Sequence, residues 1–251
     1  MKPRPRDFRR AWRRCFAVQS LWNYGTLIGP GVTYALLPLL RPIHAGDPVR
    51  LEASVRRHLD SFNAHPYLAA VAVGALARME FEDASDDEIR RFRTALRGPL
   101  GTLGDRTIWA EWRPFCLLLA ITLFGFGVSP LVCALTFLVA YNAGHVWVRA
   151  WGFRRGWQHG RNVGRLLREF PLERLTDRLW PVTMFLLGAA TVLLGQAVVE
   201  TAGRSAESFP LLLVAGLTAV PAFRWPNRFG RLAIGLLLSI PFIWMLLALA
   251  S

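Results

Sequence analysis

Cysteine, lysine and charge are all scarce in this chain. Its three cysteines, Cys15, Cys116 and Cys133, show no CxxC or CxxH spacing, and two sit in apolar stretches. That argues against a disulfide framework and against a zinc site. Only 19% of the 251 residues are charged, whereas 53% are hydrophobic, and the mean hydropathy is +0.30. An ordinary soluble domain is less apolar than this, and a disordered chain far less so. Catalytic signatures are missing as well: no GxSxG, HExxH or P-loop occurs, and the five histidines are scattered at 44, 58, 65, 145 and 159. With no nucleophile–base set or ligand cluster in view, a membrane-embedded enzyme has little support, and no metal or cofactor is expected. Lys2 is the only lysine; arginine supplies the rest of the net charge of +13, a bias we ascribe to codon usage. The basic residues cluster between uncharged stretches instead of covering a soluble face, which sets nucleic-acid binding aside.

Long apolar runs are what the chain does have. Leu179–Val199, Ser208–Phe223 and Leu232–Ser251 carry no charge. Crossing about 30 Å of hydrocarbon takes roughly 20 helical residues, so the first and last are long enough and the middle one is marginal. Another uncharged run, Pro114–Val148, is interrupted by Gly125–Pro130 and reads as two helices meeting at a break, the first of them short unless it extends back through Trp109 and Trp112. Cys15–Leu40 and Phe62–Ala77 are different. The former contains Gly25, Gly29, Pro30, Gly31 and Pro38, and the latter is short and begins with Asn63 and His65. Broken backbone survives in a membrane only against protein or water, so these two segments read as re-entrant or discontinuous. The fold expected is all-α: a polytopic integral membrane protein with broken N-terminal segments and a C-terminal bundle of transmembrane helices. Between the two parts, Ser85-Asp86-Asp87-Glu88 is a capping-box pattern opening a polar helix rich in Arg90, Arg91, Arg93 and Arg97.

Charge asymmetry orients the chain. Met1–Arg14 carries seven basic residues against Asp7, Arg149–Arg178 carries eight arginines against three acids, and Arg224–Arg231 carries three arginines alone. Glu200–Glu207 holds two acids and one arginine. The positive-inside rule puts the first three in the cytoplasm and the last outside, with a cytoplasmic N-terminus and the C-terminus outside. The basic start resembles the charged region of a signal peptide, but Gln19, Asn23 and Gly29-Pro30-Gly31 follow in place of a plain apolar core, so it reads as mature sequence. The whole chain, 1–251, is expected to form one membrane domain: a basic N-terminus (1–14), broken segments, polar helix and hairpin (15–148), a basic cytoplasmic loop (149–178) and three transmembrane helices (179–251).

Three polar clusters adjoin the apolar segments: Gln19–Tyr24, Arg56–Tyr67 and Gly98–Arg106. Amides and carboxylates beside aromatic rings suit a sugar, whose hydroxyls need donors and acceptors and whose C–H faces stack on rings. Asn63 and Asp105 could equally cap helix N-termini. His145, inside an apolar arm, is a functional candidate as an intramembrane ionisable group, or else a helix-packing hydrogen-bond partner.

At these clusters the chain resembles the IID membrane subunit of the mannose/fructose/sorbose family of the bacterial sugar phosphotransferase system. The resemblance rests on four ordered motifs over about 140 residues. They are Gln19, Trp22, Asn23 and Tyr24; the block Arg57 to Tyr67; Gly98–Asp105 with Trp109, Arg113 and Pro114; and Asn142, Arg149, Gly152, Gly156 and Gly160. It implies a multi-pass protein of the inner membrane that pairs with a IIC subunit to form a sugar-translocating unit, with the phosphoryl group carried by separate IIA and IIB proteins. Sugar would bind near the midplane among broken segments and be phosphorylated on the cytoplasmic side, within an oligomeric assembly. Trp22, Asn23, Asn63, Asp105 and His145 are the expected substrate-pathway residues, and none is expected to be catalytic. Two departures stand out: Gly25-Thr26-Leu27-Ile28 replaces the family's usual Glu-Arg-Met-Gln, and Arg106 stands where proline is common. They motivate an alternative, a divergent IID-like protein with a regulatory or interaction role and no sugar phosphorylation.

Overall fold

Proline and short polar side chains start most of the helices in the computed structural model, which describes residues 2–168 and 171–201. Helix α1 (Pro5–Arg14) opens on Pro5, with Asp7 Oδ2 accepting from the Arg4 backbone N–H at 2.9 Å. Helix α2 (Gly29–Ile43) has Pro30 in its first turn. Helix α3 (Pro48–Leu59) opens on Pro48, and Asp47 Oδ1 accepts from the Arg50 N–H at 2.9 Å. Proline suits these positions because its missing N–H would have no helical partner there. Helix α4 spans Ala69–Phe81. Helix α5 (Asp86–Gly104) is capped by Ser85, whose hydroxyl accepts from the Glu88 N–H at 3.3 Å, and Asp86, Asp87 and Glu88 sit at the positive end of its dipole.

The polar helix anticipated after Ser85 therefore forms, but it does not stop before the apolar run. It continues through a π-helical stretch, Asp105–Trp112, into α6 (Arg113–Gly125). Pro114 lacks an N–H, and its ring would crowd the carbonyl four residues back, so wider turns ahead of it relieve the clash. The chain breaks over 126–129 and resumes in α7 (Pro130–His159), α8 (Val163–Arg168) and α9 (Pro171–Thr201). Stretch 149–178, expected as a basic loop, is thus built largely of helices. Among the described residues three helices are long and apolar enough to cross a membrane, Asp86–Gly125, Pro130–Arg165 and Asp177–Ala197, and the protein is a multi-pass helical membrane protein. The spans anticipated at 208–223 and 232–251, and the position of the C-terminus, fall outside the described residues.

The chain divides into two compact units. The first runs through Ala110 and resumes over Asn142–Arg174. Its core is α4, whose residues from Ala69 to Ala77 are all buried. A helix apolar on every side must be enclosed on every side, and glycine allows the enclosure. A Cβ on Gly74 would collide with the backbone of Phe153 and Trp157; one on Gly156 would collide with the Val71 carbonyl; one on Gly152 would lie 2.7 Å from Val71 Cγ2. The four-residue glycine spacing is therefore the face of α7 that receives α4, a small-residue crossing of the kind that lets membrane helices approach closely. Phe8 of α1 closes the same core edge-on to Trp157, at 4.7 Å between centroids. The second unit holds Glu111–Tyr141 and the described residues from Leu175 onward. There α6 packs on α9: Thr122 Oγ1 donates to the Leu186 carbonyl at 3.3 Å, and Gly125 leaves room for Leu193.

Candidate functional site

Short non-helical stretches flank α2 and α4, and the first unit ties them together. The turn at Asn23 is closed by its own side chain. Asn23 Oδ1 accepts from the Gly25 and Thr26 N–H groups at 3.0 and 2.9 Å, and Nδ2 donates to Thr26 Oγ1 at 2.7 Å. The backbone closes it again, with the Leu27 N–H donating to the Asn23 carbonyl at 2.8 Å and Leu27 at a φ of 55°. A leucine in the left-handed region is uncommon and strained. This turn pairs with the second polar cluster. The Phe62 N–H donates to the Thr26 carbonyl, and the Ile28 N–H to the Phe62 carbonyl, both at 3.1 Å.

The third cluster reaches the same segment. The His65 N–H donates to the Leu100 carbonyl at 3.3 Å, and Gly104 is a glycine because a Cβ there would overlap the His65 side chain. Trp109 packs edge-on to His65, at 4.7 Å between centroids, and Tyr67 packs edge-on to His65 at 5.0 Å. His145 stacks on Tyr67 at 4.7 Å with the planes 27° apart. The Arg149 guanidinium lies 4.3 Å from the Tyr67 ring centre and donates to His145 Nδ1 at 2.9 Å. Arginine can only donate, so the neutral His145 carries its proton on Nε2. Segment 62–67 is thus the meeting point of the Asn23 turn, the Gly104–Trp109 stretch and the His145–Arg149 face of α7.

Of the five residues expected on a substrate pathway, Trp22, Asn23, Asn63 and Asp105 are exposed and His145 is half-buried. Trp22 lies edge-on to Tyr24 at 4.7 Å. Neither Asn63 nor Asp105 caps a helix N-terminus. Leu68 precedes α4 without a side-chain cap, and Asp105 lies where α5 passes into the π-helical stretch. The amide of Asn23 is engaged by its own turn.

His65 was not among those five and belongs with them. Its Nδ1 accepts from the Tyr67 N–H at 3.3 Å, which places the proton on Nε2, and that buried Nε2 has no hydrogen-bond partner among the described residues. Burial, with the charge of Arg149 added, pushes the ring down to about 4. A buried donor without a partner is uncommon enough to mark a place for a water or ligand oxygen. Its sequence signal was the motif itself, Asn63-Ala64-His65-Pro66-Tyr67.

A second polar group lies behind this segment. Glu80 of α4 is buried and accepts from four side chains: Ser54 Oγ at 2.8 Å, Arg57 Nη2 at 2.6 Å, His58 Nε2 at 2.7 Å and His44 Nε2 at 3.0 Å. Arg57 also pairs with Asp86. Arg93 Nη1 donates to His58 Nδ1 at 2.9 Å and to the His58 carbonyl at 3.0 Å, while Nη2 donates to the Asp60 carbonyl at 2.8 Å. Arg97 donates to the Ser61 carbonyl. His58 is therefore the neutral Nε2–H tautomer, held between a donor and an acceptor. Burial pushes its ring down to about 4 against the pull of Glu80. Burial also opposes the charge on Glu80, but hydrogen bonds from His58 and Arg57 outweigh it and hold that carboxyl below its usual range. Through Arg93 and Arg97, α5 grips the chain just before Phe62. Arg57 and His58 were visible as part of a motif; Glu80 and Arg93 were not, because their partners lie far away in the sequence.

Residues 4–203 match the family described as the PTS system mannose/fructose/sorbose family IID component. The chain is similar to the mannose-specific EIID component of Escherichia coli strain K12, 26% identical over 190 residues that cover 73% of this chain and 66% of that one. It is also similar to the fructose permease IID component of Bacillus subtilis strain 168, 27% identical over 175 residues, covering 67% and 62% of the two chains. It therefore spans just under two thirds of the length of these curated relatives. Among solved structures, the mannose transporter ManYZ, determined in complex with microcin E492, matches with a TM-score of 0.60 and 25% identity over 76% of this chain and 70% of that one.

Proposed function

The chain belongs to the mannose/fructose/sorbose family of phosphotransferase-system IID components, and on that premise we propose that it is the IID subunit of a sugar permease. With a IIC-type membrane subunit it forms the pathway along which a sugar crosses the inner membrane. Separate IIA and IIB proteins phosphorylate the sugar on the cytoplasmic side, where the basic N-terminus lies; the C-terminus lies outside. The observation that carries this reading is the junction at 62–67, where all four family motifs meet through backbone bonds and ring contacts.

Within that junction the roles divide. Asn63 and Asp105 offer exposed polar groups to sugar hydroxyls, and Trp22 offers a ring face to C–H groups. Asn23 acts through the shape of its turn. His145 holds Tyr67 in place and is itself held by Arg149. The altered stretch Gly25–Ile28 still closes the turn, since Asn23 Oδ1 accepts from the backbone N–H groups of Gly25 and Thr26, which any residue but proline supplies. That observation favours retained transport over a purely regulatory role.

The test pairs purification with uptake. The tagged protein, gently extracted from its native membrane, should copurify with a stoichiometric polytopic partner resembling IIC and with a IIB-like protein. Asn63→Ala should then lower phosphorylating uptake of the cognate sugar at unchanged membrane abundance. Recovery without such partners would favour the regulatory reading, and unchanged uptake would remove Asn63 from the pathway.

A further inference from the structure

A cavity between α1 and α2 shares no residue with the junction or with the buried Glu80 group. Its volume is about 310 Å³, at the lower end of the ~300–1,000 Å³ typical of small-molecule sites. Six cations line it against one acid, Asp7: Lys2, Arg4, Arg6, Arg10 and Arg14 come from the N-terminal segment, and Arg41 from α2. Helical spacing explains part of the gathering, since positions 6, 10 and 14 fall on one face of α1. A cytoplasmic charge bias would explain basic residues in the N-terminal segment. It does not require a separate helix to add Arg41 to the same hollow.

The protein itself engages two of these charges. Pro38 has no N–H, so the Tyr34 carbonyl four residues back lacks its helical donor. Arg14 Nη1 donates to that carbonyl at 3.0 Å, and the guanidinium lies 4.2 Å from the Tyr34 ring centre. Arg6 Nε stands 3.8 Å from Asp7 Oδ1, while Asp7 Oδ2 accepts from the Arg4 backbone N–H. Lys2, Arg4, Arg10 and Arg41 have no ion pair among the described residues.

The lining defines the occupant. Like charges gathered beside a single engaged acid repel one another, and a compact multivalent anion relieves that repulsion. Guanidinium forks match oxyanions with several acceptor oxygens, phosphate above all. A lipid tail fits poorly. The apolar face of α1, with Phe8, Ala11 and Trp12, is packed in the protein core, and only Pro38 and Pro42 give the cavity an apolar lining.

We propose that this cavity binds a small water-borne phosphate monoester, with Arg4, Arg10 and Arg41 meeting the phosphoryl oxygens. The site stands whether or not the protein carries sugar.

The experiment uses the full-length protein, with any partners that copurify, in phosphatidylcholine nanodiscs at fixed ionic strength. Isothermal titration calorimetry compares glycerol 3-phosphate with glycerol. The phosphate ester should bind and glycerol should not. Arg10→Gln and Arg41→Gln should each weaken binding about ten-fold or more, the worth of a charge-assisted hydrogen bond. Arg9→Gln removes the same charge outside the cavity and should leave the affinity unchanged. All three arginines are exposed, so the variants spare the core. Absence of binding, binding untouched by Arg10→Gln and Arg41→Gln, or equal weakening by Arg9→Gln overturns the proposal. A second arm separates the sources of phosphate, using discs of equimolar phosphatidylglycerol and phosphatidylcholine read by native mass spectrometry. Phosphatidylglycerol retention should not depend on Arg10 and Arg41. Retention lost in those two variants and kept in Arg9→Gln would make the occupant a lipid headgroup, and overturns the proposal as well.

Discussion

Two polar groups in the first unit sit on neighbouring stretches of chain, and their surroundings differ completely. Around Glu80, four side-chain donors converge on one buried carboxylate, and Arg93 fills the remaining face of His58. Around segment 62–67, Asn63, Asp105 and Trp22 stand exposed, and the one buried donor, His65 Nε2, has no partner among the described residues. The protein fills the Glu80 carboxylate and both ring nitrogens of His58, although Arg57 Nε is a buried donor without a partner among the described residues; the second group keeps exposed polar side chains open. A polar residue in a broken apolar segment can serve either end, and its partners decide which.

The largest test of this contrast is Glu80→Ala. It leaves the Arg57 charge and the donors of Ser54, His58 and His44 buried without their acceptor. Removing one member of a buried charged group typically costs about 3–5 kcal/mol. The expected outcome is a large drop in thermal stability in detergent and loss of protein from the membrane, whereas Asn63→Ala should leave both unchanged. A Glu80→Ala protein as stable as the parent would break the division between the two groups.

Acid should act on both groups over one pH window. Above pH ~6.5 His58 is neutral whether the chain is folded or not. Between pH ~6.5 and its folded value of about 4, the unfolded chain takes the proton and the folded one does not, so stability falls as pH falls. Burial is the main reason the folded ring resists, and proton uptake at Nδ1 would also set N–H against the Arg93 guanidinium. His65, also pushed down to about 4, adds in the same direction over the same window. Glu80, held low when folded, adds a further loss once the pH drops below the ordinary carboxylate range. The melting midpoint in detergent should therefore decline from pH 7 to pH 5. A flat profile would mean that these rings titrate as they would in water.

Much of this architecture could be read in the sequence, for identifiable reasons. Ser85 with Glu88 and the break at Gly125–Pro130 are local signals, and each acts where it was read. The glycines at 152, 156 and 160 were legible as a pattern, but their cause, the enclosure of α4, depends on a helix some eighty residues away. The pairing of Glu80 with His44, Ser54, Arg57 and His58 is non-local in the same way, and a single sequence offers no periodicity that reveals it. The π-helical stretch escaped notice because its residues favour a helix of some kind and only the turn width differs. Asn23 was singled out for its chemistry, and its engagement with Gly25 and Thr26 appears only once the backbone curls around it.

Asn23 supplies the finest test, because it belongs to the exposed group by position and to the filled group by bonding. Asn23→Ala removes the acceptor for two backbone N–H groups, a change worth about 1 kcal/mol at an exposed turn. Asn23→Asp keeps that acceptor and loses the bonds that Nδ2 donates to Thr26 Oγ1 and to the Leu21 carbonyl. If Asn23 acts by shaping the turn that pairs with Phe62, the aspartate variant should recover most of the uptake lost in the alanine variant, and the small loss of thermal stability should recover with it. If stability returns and uptake does not, the amide itself meets the sugar, and Asn23 joins Asn63 among the residues whose capacity is left open for a ligand.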